Sequence, residues 1–150
     1  MSTANHQDSE RVTELVQDYA ALLDAGAAEE WLALFLPDAA YRVILRANHE
    51  RREPFYLINE DRERLAQRLE AYRGEPLPAT LHMVSNLRVR LDSGADAEAT
   101  AATLVLRDGR PSFAGRYVIR AAKTEGRWRI RECLVILEGQ LATEMIPTPI

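Results

Sequence analysis

The second half of the chain alternates polar and apolar residues in runs separated by very short turns, and this most limits what the chain can fold into. Leu81, Met83, Ser85, Leu87, Val89 and Leu91 alternate with Thr80, His82, Val84, Asn86, Arg88 and Arg90. Asp92-Ser93-Gly94 reads as a turn, and Ala97 to Arg107 as the next strand, with its alanines leaving the inward face open. Asp108-Gly109 is a strong hairpin signal, because both positions of the favoured two-residue turn need a positive φ. Beyond it, Phe113, Gly115, Tyr117 and Ile119 alternate with Ala114, Arg116, Val118 and Arg120. A loop at Glu125-Gly126 leads to a last strand in which Trp128, Ile130, Leu134 and Ile136 share a parity opposed by Arg127, Arg129 and Arg131. A period of two marks strands with one face buried, and hairpin-length connections make their pairing antiparallel.

Before Thr80 the period changes. Val12, Leu15, Val16, Tyr19, Leu22 and Leu23 recur at three- and four-residue spacing and predict a helix from about Ser9 to Ala25, capped by Asp8 or Ser9 and ended by Gly26. A second helix is predicted over Ala28 to Leu36 with Trp31, Leu34 and Phe35 inward, stopped by Pro37. Tyr41 to Arg46 reads as a strand and Ala47 to Pro54 as a polar loop. A third helix is expected over Glu60 to Tyr72, capped by Asn59, with Leu65, Leu69 and Tyr72 buried. Helices first and strands last give an α+β class, with helices on one face of an antiparallel sheet. Trp31, Leu65, Tyr117 and Trp128 are expected to meet in its core.

The 150 residues suggest a single domain spanning 1–150. No apolar run approaches a membrane span, and Met1 to Glu10 is too polar for a signal peptide. Cys133 is the one cysteine, which excludes an internal disulfide and fits a reducing cytoplasm. A net charge of −4 gives no bulk attraction to nucleic acid.

Chemistry-bearing motifs are sparse. One cysteine and the histidines His6, His49 and His82 cannot supply the ligands of a Rieske cluster. A mononuclear iron needs two histidines and a carboxylate on one face, and the spacing of His49 and His82 suggests no local motif; one is read as a loop histidine, the other as a strand histidine facing water or a partner. Acid–base candidates are Tyr19, Asp38, Tyr41, Tyr56, His82 and Tyr117, with the tyrosines at core parity and Asp38 in a turn setting after Pro37. Ser85 and Cys133 have no motif that would activate them and read as small residues packed in strands. No phosphate loop or nucleophile elbow is present.

Lys123 is the only lysine, and the arginines are placed with a pattern. Arg88, Arg90, Arg116, Arg120, Arg127, Arg129 and Arg131 all oppose apolar positions on their strands. Two readings stand: a solvated sheet face neutralised by acids such as Glu98 and Glu132, or a protein interface, where arginine is enriched.

The order Leu22-Leu23-Asp24, Glu30-Trp31-Leu32-Ala33-Leu34-Phe35, Asp38, Tyr41-Arg42-Val43, Arg46-Ala47-Asn48-His49-Glu50, the Arg62-to-Arg68 helix, His82 to Val89, Gly115-Arg116-Tyr117 and Trp128-Arg129-Ile130 resembles the small (β) subunit of bacterial aromatic-ring-hydroxylating dioxygenases. The resemblance implies a nuclear-transport-factor-like, cystatin-like cone: a curved sheet wrapped around the N-terminal helices. It implies a non-catalytic, structural role, with the Rieske 2Fe–2S cluster, the mononuclear iron and the substrate pocket in a large (α) subunit, three of each assembling. This chain would then carry no cofactor, no catalytic residue and no metal ligand. The candidate interface is Arg46, Asn48, Arg88, Arg90, Arg116, Arg120, Arg129 and Arg131. The Arg-x-Asn segment looks most like subunits of oxygenases for aromatic carboxylates such as salicylate or terephthalate. The alternatives are a stand-alone cone-fold isomerase or dehydratase using acid–base chemistry, and a small binding module that forms only homodimers or homotrimers.

Overall fold

The structure, a computed structural model, describes residues 2–139 and 148–150. Helix α1 (Thr3–Asp24) buries Val12, Leu15, Val16 and Tyr19, the stripe its spacing predicts. It starts earlier than expected, at Ser2, whose hydroxyl accepts the Asn5 N–H at 3.2 Å. Asp8 is therefore no cap. Its carboxylate accepts instead from the Lys123 ammonium at 2.8 Å and the Trp128 indole N–H at 2.9 Å, tying α1 to the last hairpin.

Helix α2 (Ala28–Leu32) is shorter than predicted, because strand β1 (Phe35–Leu45) claims the residues after Leu34. Phe35 is in register with Ile130, and the Ile130 N–H donates to Leu34 O at 2.8 Å, so pairing overrides the local helical signal. Pro37 and Asp38 sit exposed where the ladder is interrupted between Phe35 and Ala40, a gap that tolerates a residue without an N–H. A short helix, α3 (Arg46–Glu50), occupies part of the expected loop. Strand β2 (Tyr56–Asp61) pairs antiparallel with β1 and takes residues predicted to open a helix. Helix α4 (Arg62–Ala71) accordingly begins later, with the Asp61 carboxylate, not Asn59, accepting the Arg64 N–H at 2.9 Å. Asn59 is engaged elsewhere, accepting from Arg42 Nε at 3.0 Å. Of the predicted α4 stripe, Leu65 is buried while Leu69 and Tyr72 are half-buried.

Strands β3 (Thr80–Leu91), β4 (Asp96–Arg107), β5 (Arg110–Thr124) and β6 (Arg127–Leu137) form an antiparallel meander. Both Asp108-Gly109 and Glu125-Gly126 adopt positive φ, as two-residue turns require. The sheet order is β2-β1-β6-β5-β4-β3. One pair departs from the antiparallel expectation: β1 and β6 run parallel. No hairpin joins them; the chain leaves β1 through β2 and α4, crosses to the far edge and returns by the meander, the long connection a parallel pair needs.

Two bulges overturn the simple parities. Ser85 pairs with Ala102 but Arg88 with Thr100, so β3 holds one extra residue, at Asn86 with φ 54°. His82 and Val84 point inward before this bulge, and Leu87, Val89 and Leu91 after it. On β6, Ile130 pairs with Ala121 and Glu132 with Arg120, leaving Arg131 extra. Trp128 and Ile130 are inward, then Cys133, Val135 and Leu137, so Leu134 and Ile136 do not share the face of Trp128. On β4 the ambiguous alanines resolve: Ala97, Ala99, Ala101, Thr103 and Val105 face in. The helices cover one face of this open, curved sheet, and Trp31, Leu65, Tyr117 and Trp128 belong to one core cluster.

Candidate functional site

Two regions concentrate polar chemistry, one inside the curved sheet and one on its outer face. Inside, the end of α1 meets the free edge of the sheet. Asp24, the last residue of α1, accepts from the His82 backbone N–H at 2.9 Å and from Thr80 Oγ1 at 3.3 Å, and its carboxylate lies 2.5 Å from His82 Nδ1. The His82 side chain is 1% exposed, so the reading of a histidine facing water or a partner is wrong. The bulge at Asn86 is the reason: parity before it is inverted relative to the rest of the strand. The carboxylate at Nδ1 fixes the orientation of the imidazole, with Nε2 buried on the other side of the ring. Among the described residues, Nε2 has no hydrogen-bond partner, and the buried Trp31 Nε1 has none either.

Deeper in the same core, Tyr19 and Tyr41 are both 0% exposed. Burial, the largest cause, pushes both phenols well above their ordinary range, so they stay protonated. Tyr117 is raised too, again chiefly by burial, and its hydroxyl accepts from Thr103 Oγ1 at 3.3 Å. Ile150 lies between the first two. The Tyr19 hydroxyl donates to Ile150 O; the Ile150 N–H donates to Tyr41 Oη at 2.8 Å, and the Tyr41 hydroxyl reaches Ile150 O at 3.5 Å.

Of the acid–base candidates, the structure gathers Tyr19, Tyr41, Tyr117 and His82 inside and excludes two. Asp38 is exposed beside Pro37. Tyr56 is exposed on edge strand β2 under the Arg42 guanidinium, not at core parity. Asp24 escapes a reading of the sequence for function; nothing in a helix end links it to a histidine so distant in the chain. Cys133 is fully buried and its thiol is pushed up to about 12, mainly by burial, so it is no nucleophile. Ser85, expected to be packed, is exposed.

His49 lies on α3 at the outer surface and shares no face with His82. Among the described residues, no group of three or more histidine, cysteine, aspartate and glutamate side chains is arranged to hold a metal ion.

On the outer face, a groove of about 920 Å³ brings together Arg46, Arg88 and Arg116 with His49 and Glu138. Arg90, Arg120 and Arg131 lie elsewhere and are neutralised: Arg90 by Asp92 at 2.7 Å and Glu98 at 3.4 Å, Arg120 by Glu98 at 3.9 Å, Arg131 by Asp96 at 3.2 Å. Arg46 pairs with Glu50 at 2.7 Å and Glu138 at 2.9 Å, and the hydrogen bonds it donates to both hold its guanidinium above its ordinary range. Asn48 is tied into its own turn, accepting from Arg51 Nη2 at 3.0 Å. Glu132 pairs with Arg42 at 2.7 Å, not with a β6 arginine. Arg88, Arg116 and Arg129 have no ion pair among the described residues. Arg129 does not line the groove.

An apolar patch adjoins this groove. Leu81 is 52% and Met83 54% exposed on edge strand β3. They stand in register with Leu106 and Leu104, whose side chains share the outer face. Ser85, two residues beyond Met83, is in register with Ala102 and, across β5, with Arg116.

A family model described as the SnoaL-like domain matches residues 5–133. The small oxygenase component of the p-cumate 2,3-dioxygenase system of Pseudomonas putida is 28% identical over 142 residues, covering 85% of this chain and 79% of that protein. A structure from Novosphingobium aromaticivorans, assigned as the β subunit of an aromatic-ring-hydroxylating dioxygenase, superposes with a TM-score of 0.82 at 25% identity over 91% of this chain and 93% of that one. A chain from the same organism, assigned as a scytalone dehydratase, shares the fold with a TM-score of 0.76 at 20% identity over 97% of this chain and 94% of that one.

Proposed function

The chain belongs to the SnoaL-like domain family, and from that premise we propose that it is the small subunit of an aromatic-ring-hydroxylating dioxygenase, acting by assembly with a large oxygenase subunit. The likeness to the P. putida small oxygenase component and to the N. aromaticivorans β subunit runs over most of the chain and supports the reading. On it the chain is non-catalytic and cytoplasmic, and the Rieske cluster, the mononuclear iron and the aromatic substrate, in the narrower form a carboxylate, reside in the partner. Three small subunits stand with three large ones.

The observation that carries the reading is the outer face itself. Leu81 and Met83 are more than half exposed on the same outer face as Arg88 and Arg116, which have no ion pair among the described residues. Exposed apolar patches rimmed by charge mark interaction sites, and methionine and arginine are enriched where proteins meet. The candidate interface thus narrows to Arg88 and Arg116 with the Leu81–Met83 patch, while Arg90, Arg120 and Arg131 serve the sheet's own ion pairs.

Co-expression with the large subunit tests this. Met83→Asp combined with Arg116→Glu should abolish co-purification, since desolvating a new carboxylate in a permanent interface costs several kcal/mol. The isolated variant should keep the circular dichroism of the wild type, because both side chains point outward. Co-purification at wild-type yield would refute the assignment of the face.

The Asp24–His82 pair favours a second reading, a stand-alone acid–base enzyme of the isomerase or dehydratase kind. A buried imidazole with one nitrogen fixed by a carboxylate and the other bare has the form of a general base. Turnover of a substrate by the purified chain alone, lost in His82→Ala, would establish this reading over assembly.

A further inference from the structure

We propose that the outer face of the sheet seats an amphipathic helix of the large subunit, one with carboxylates at one end of its apolar stripe, and that Arg88 and Arg116 clamp those carboxylates. The inference rests on the assembly reading and adds to it the chemistry of the segment that docks.

The face is graded along β4. Its outward side chains run Leu106, Leu104, Ala102 and Thr100. Leu81 is in register with Leu106, and Met83 and Ala114 flank Leu104, so the first two positions make an apolar tract. At Ala102 the neighbours change to Ser85 and Arg116, and at Thr100 to Arg88 and Val118. Arg88 and Arg116 thus approach the small Ala102 and Thr100 side chains from opposite strands, and both line the outer groove. They stand two strands apart and two residues out of step, which puts their Cα atoms about 12 Å from each other. One carboxylate between them is within reach of both guanidiniums. Neither has an acid of its own among the described residues, whereas Arg90, Arg120 and Arg131 do. In a chain of net charge −4 they make a local positive site that an acidic partner complements.

The occupant is a helix for a physical reason. The backbone donors and acceptors of a sheet lie in its plane, so its face offers a docked segment no ladder, and the segment must satisfy its own backbone. Successive helical turns advance about 5.4 Å, close to the roughly 6.7 Å between alternate residues of a strand. Apolar side chains on two turns therefore cover Leu106 and Leu104, and acids on the next turns reach the arginines. This chain does not supply that helix. Among the described residues its exposed large apolar side chains are Phe55, Tyr56, Leu57, Leu77, Leu81 and Met83, and none is on a helix.

The complex with the large subunit tests the inference. Met83→p-benzoylphenylalanine, irradiated in the co-expressed complex, should cross-link to the large subunit. Mass spectrometry should place the link on a segment with apolar residues at three- and four-residue spacing and Asp or Glu within the next two turns. In sedimentation, Arg88→Gln with Arg116→Gln should weaken the complex at least about tenfold and flatten its salt dependence. Going from about 0.1 to about 1 M NaCl cuts the screening length from about 10 to about 3 Å, which weakens an acid–arginine contact and spares an apolar one. Arg120→Gln, whose guanidinium already faces Glu98, should leave the affinity as it is. A link to a second copy of this chain, a linked segment without acids, or a double variant that binds and responds to salt like the wild type would overturn the helix proposal while leaving assembly intact. Equal weakening by Arg120→Gln would overturn it too. If the wild-type chain forms no complex with the large subunit, the assembly reading falls and this inference falls with it.

Discussion

Replacing Gly115 by alanine probes the closest approach in the sheet. Gly115 lies on β5 in register with Thr103 on one side and Leu137 on the other. A Cβ added there would press into the Ile136 carbonyl oxygen and lie 3.1 Å from its carbonyl carbon and 3.2 Å from Leu137 Cα. All three are backbone atoms of β6, so no side chain can turn aside; the strands must separate. Overpacking alone costs about 1–3 kcal/mol, and each ladder hydrogen bond stretched beyond use adds about 1 kcal/mol. Together these come to about 3–4 kcal/mol. In a domain of this length each kcal/mol moves the melting temperature by about 2–4 °C, so Gly115→Ala should melt roughly 6–16 °C lower. Gly126→Ala is the internal control: φ there is +75° but a Cβ would meet nothing within 4 Å. It should cost only the left-handed backbone strain, about 1–2 kcal/mol. Calorimetric melts of the three proteins decide the matter. Gly115→Ala melting within about 2 °C of wild type, or below Gly126→Ala in cost, would refute the register assigned to β5 and β6.

Asp24→Ala should destabilise the isolated chain by about 2–3 kcal/mol in urea, because the His82 N–H and Nδ1–H both lose their acceptor at a nearly closed site; Asp24→Asn, which keeps one acceptor oxygen, should cost less. Asp8 has its carboxyl held below the ordinary 3.8 by hydrogen bonds from Lys123 and Trp128. A depressed folded value makes its contribution fully present above the unfolded value and lost as pH falls through the lower folded one. Melting temperature against pH should therefore fall less steeply below about pH 4 in Asp8→Asn than in the wild type, with no difference in slope near neutrality.

The meander is legible because its signals are local. Asp108-Gly109 demands positive φ whatever the rest of the chain does, and period-two patterning survives wherever one face is buried. Non-local decisions do not show. Phe35 belongs to a helical pattern until Ile130 offers it a ladder, and Tyr56 to Asp61 look like a loop and a helix start until β1 pairs with them. The bulges at Asn86 and Arg131 each insert one residue, which inverts the parity of everything beyond while leaving the pattern plausible; hence the pattern puts His82 outside and Leu134 inside. It does set the outer arginines on one side of the sheet, but which of them find acids depends on register, and Arg88, Arg116, Arg127 and Arg129 are left without one among the described residues. The pairing of Asp24 with His82 and the seating of Ile150 against Tyr19 and Tyr41 join residues from opposite parts of the chain, and no short-range signal encodes them.

The parallel contact between β1 and β6 has a consequence for how the molecule is made. Tyr41 is in register with Cys133 and Val43 with Val135. On a ribosome, β1 and β2 emerge long before residues 127–137, so β1 must wait with one of its ladder edges unpaired. Contacts of large sequence separation form late and slow folding, and unpaired edges with apolar faces are the surfaces on which nascent chains aggregate. The chain therefore passes through synthesis with its central seam open. Its yield in the cell should depend on chaperone supply more steeply than its final stability would suggest.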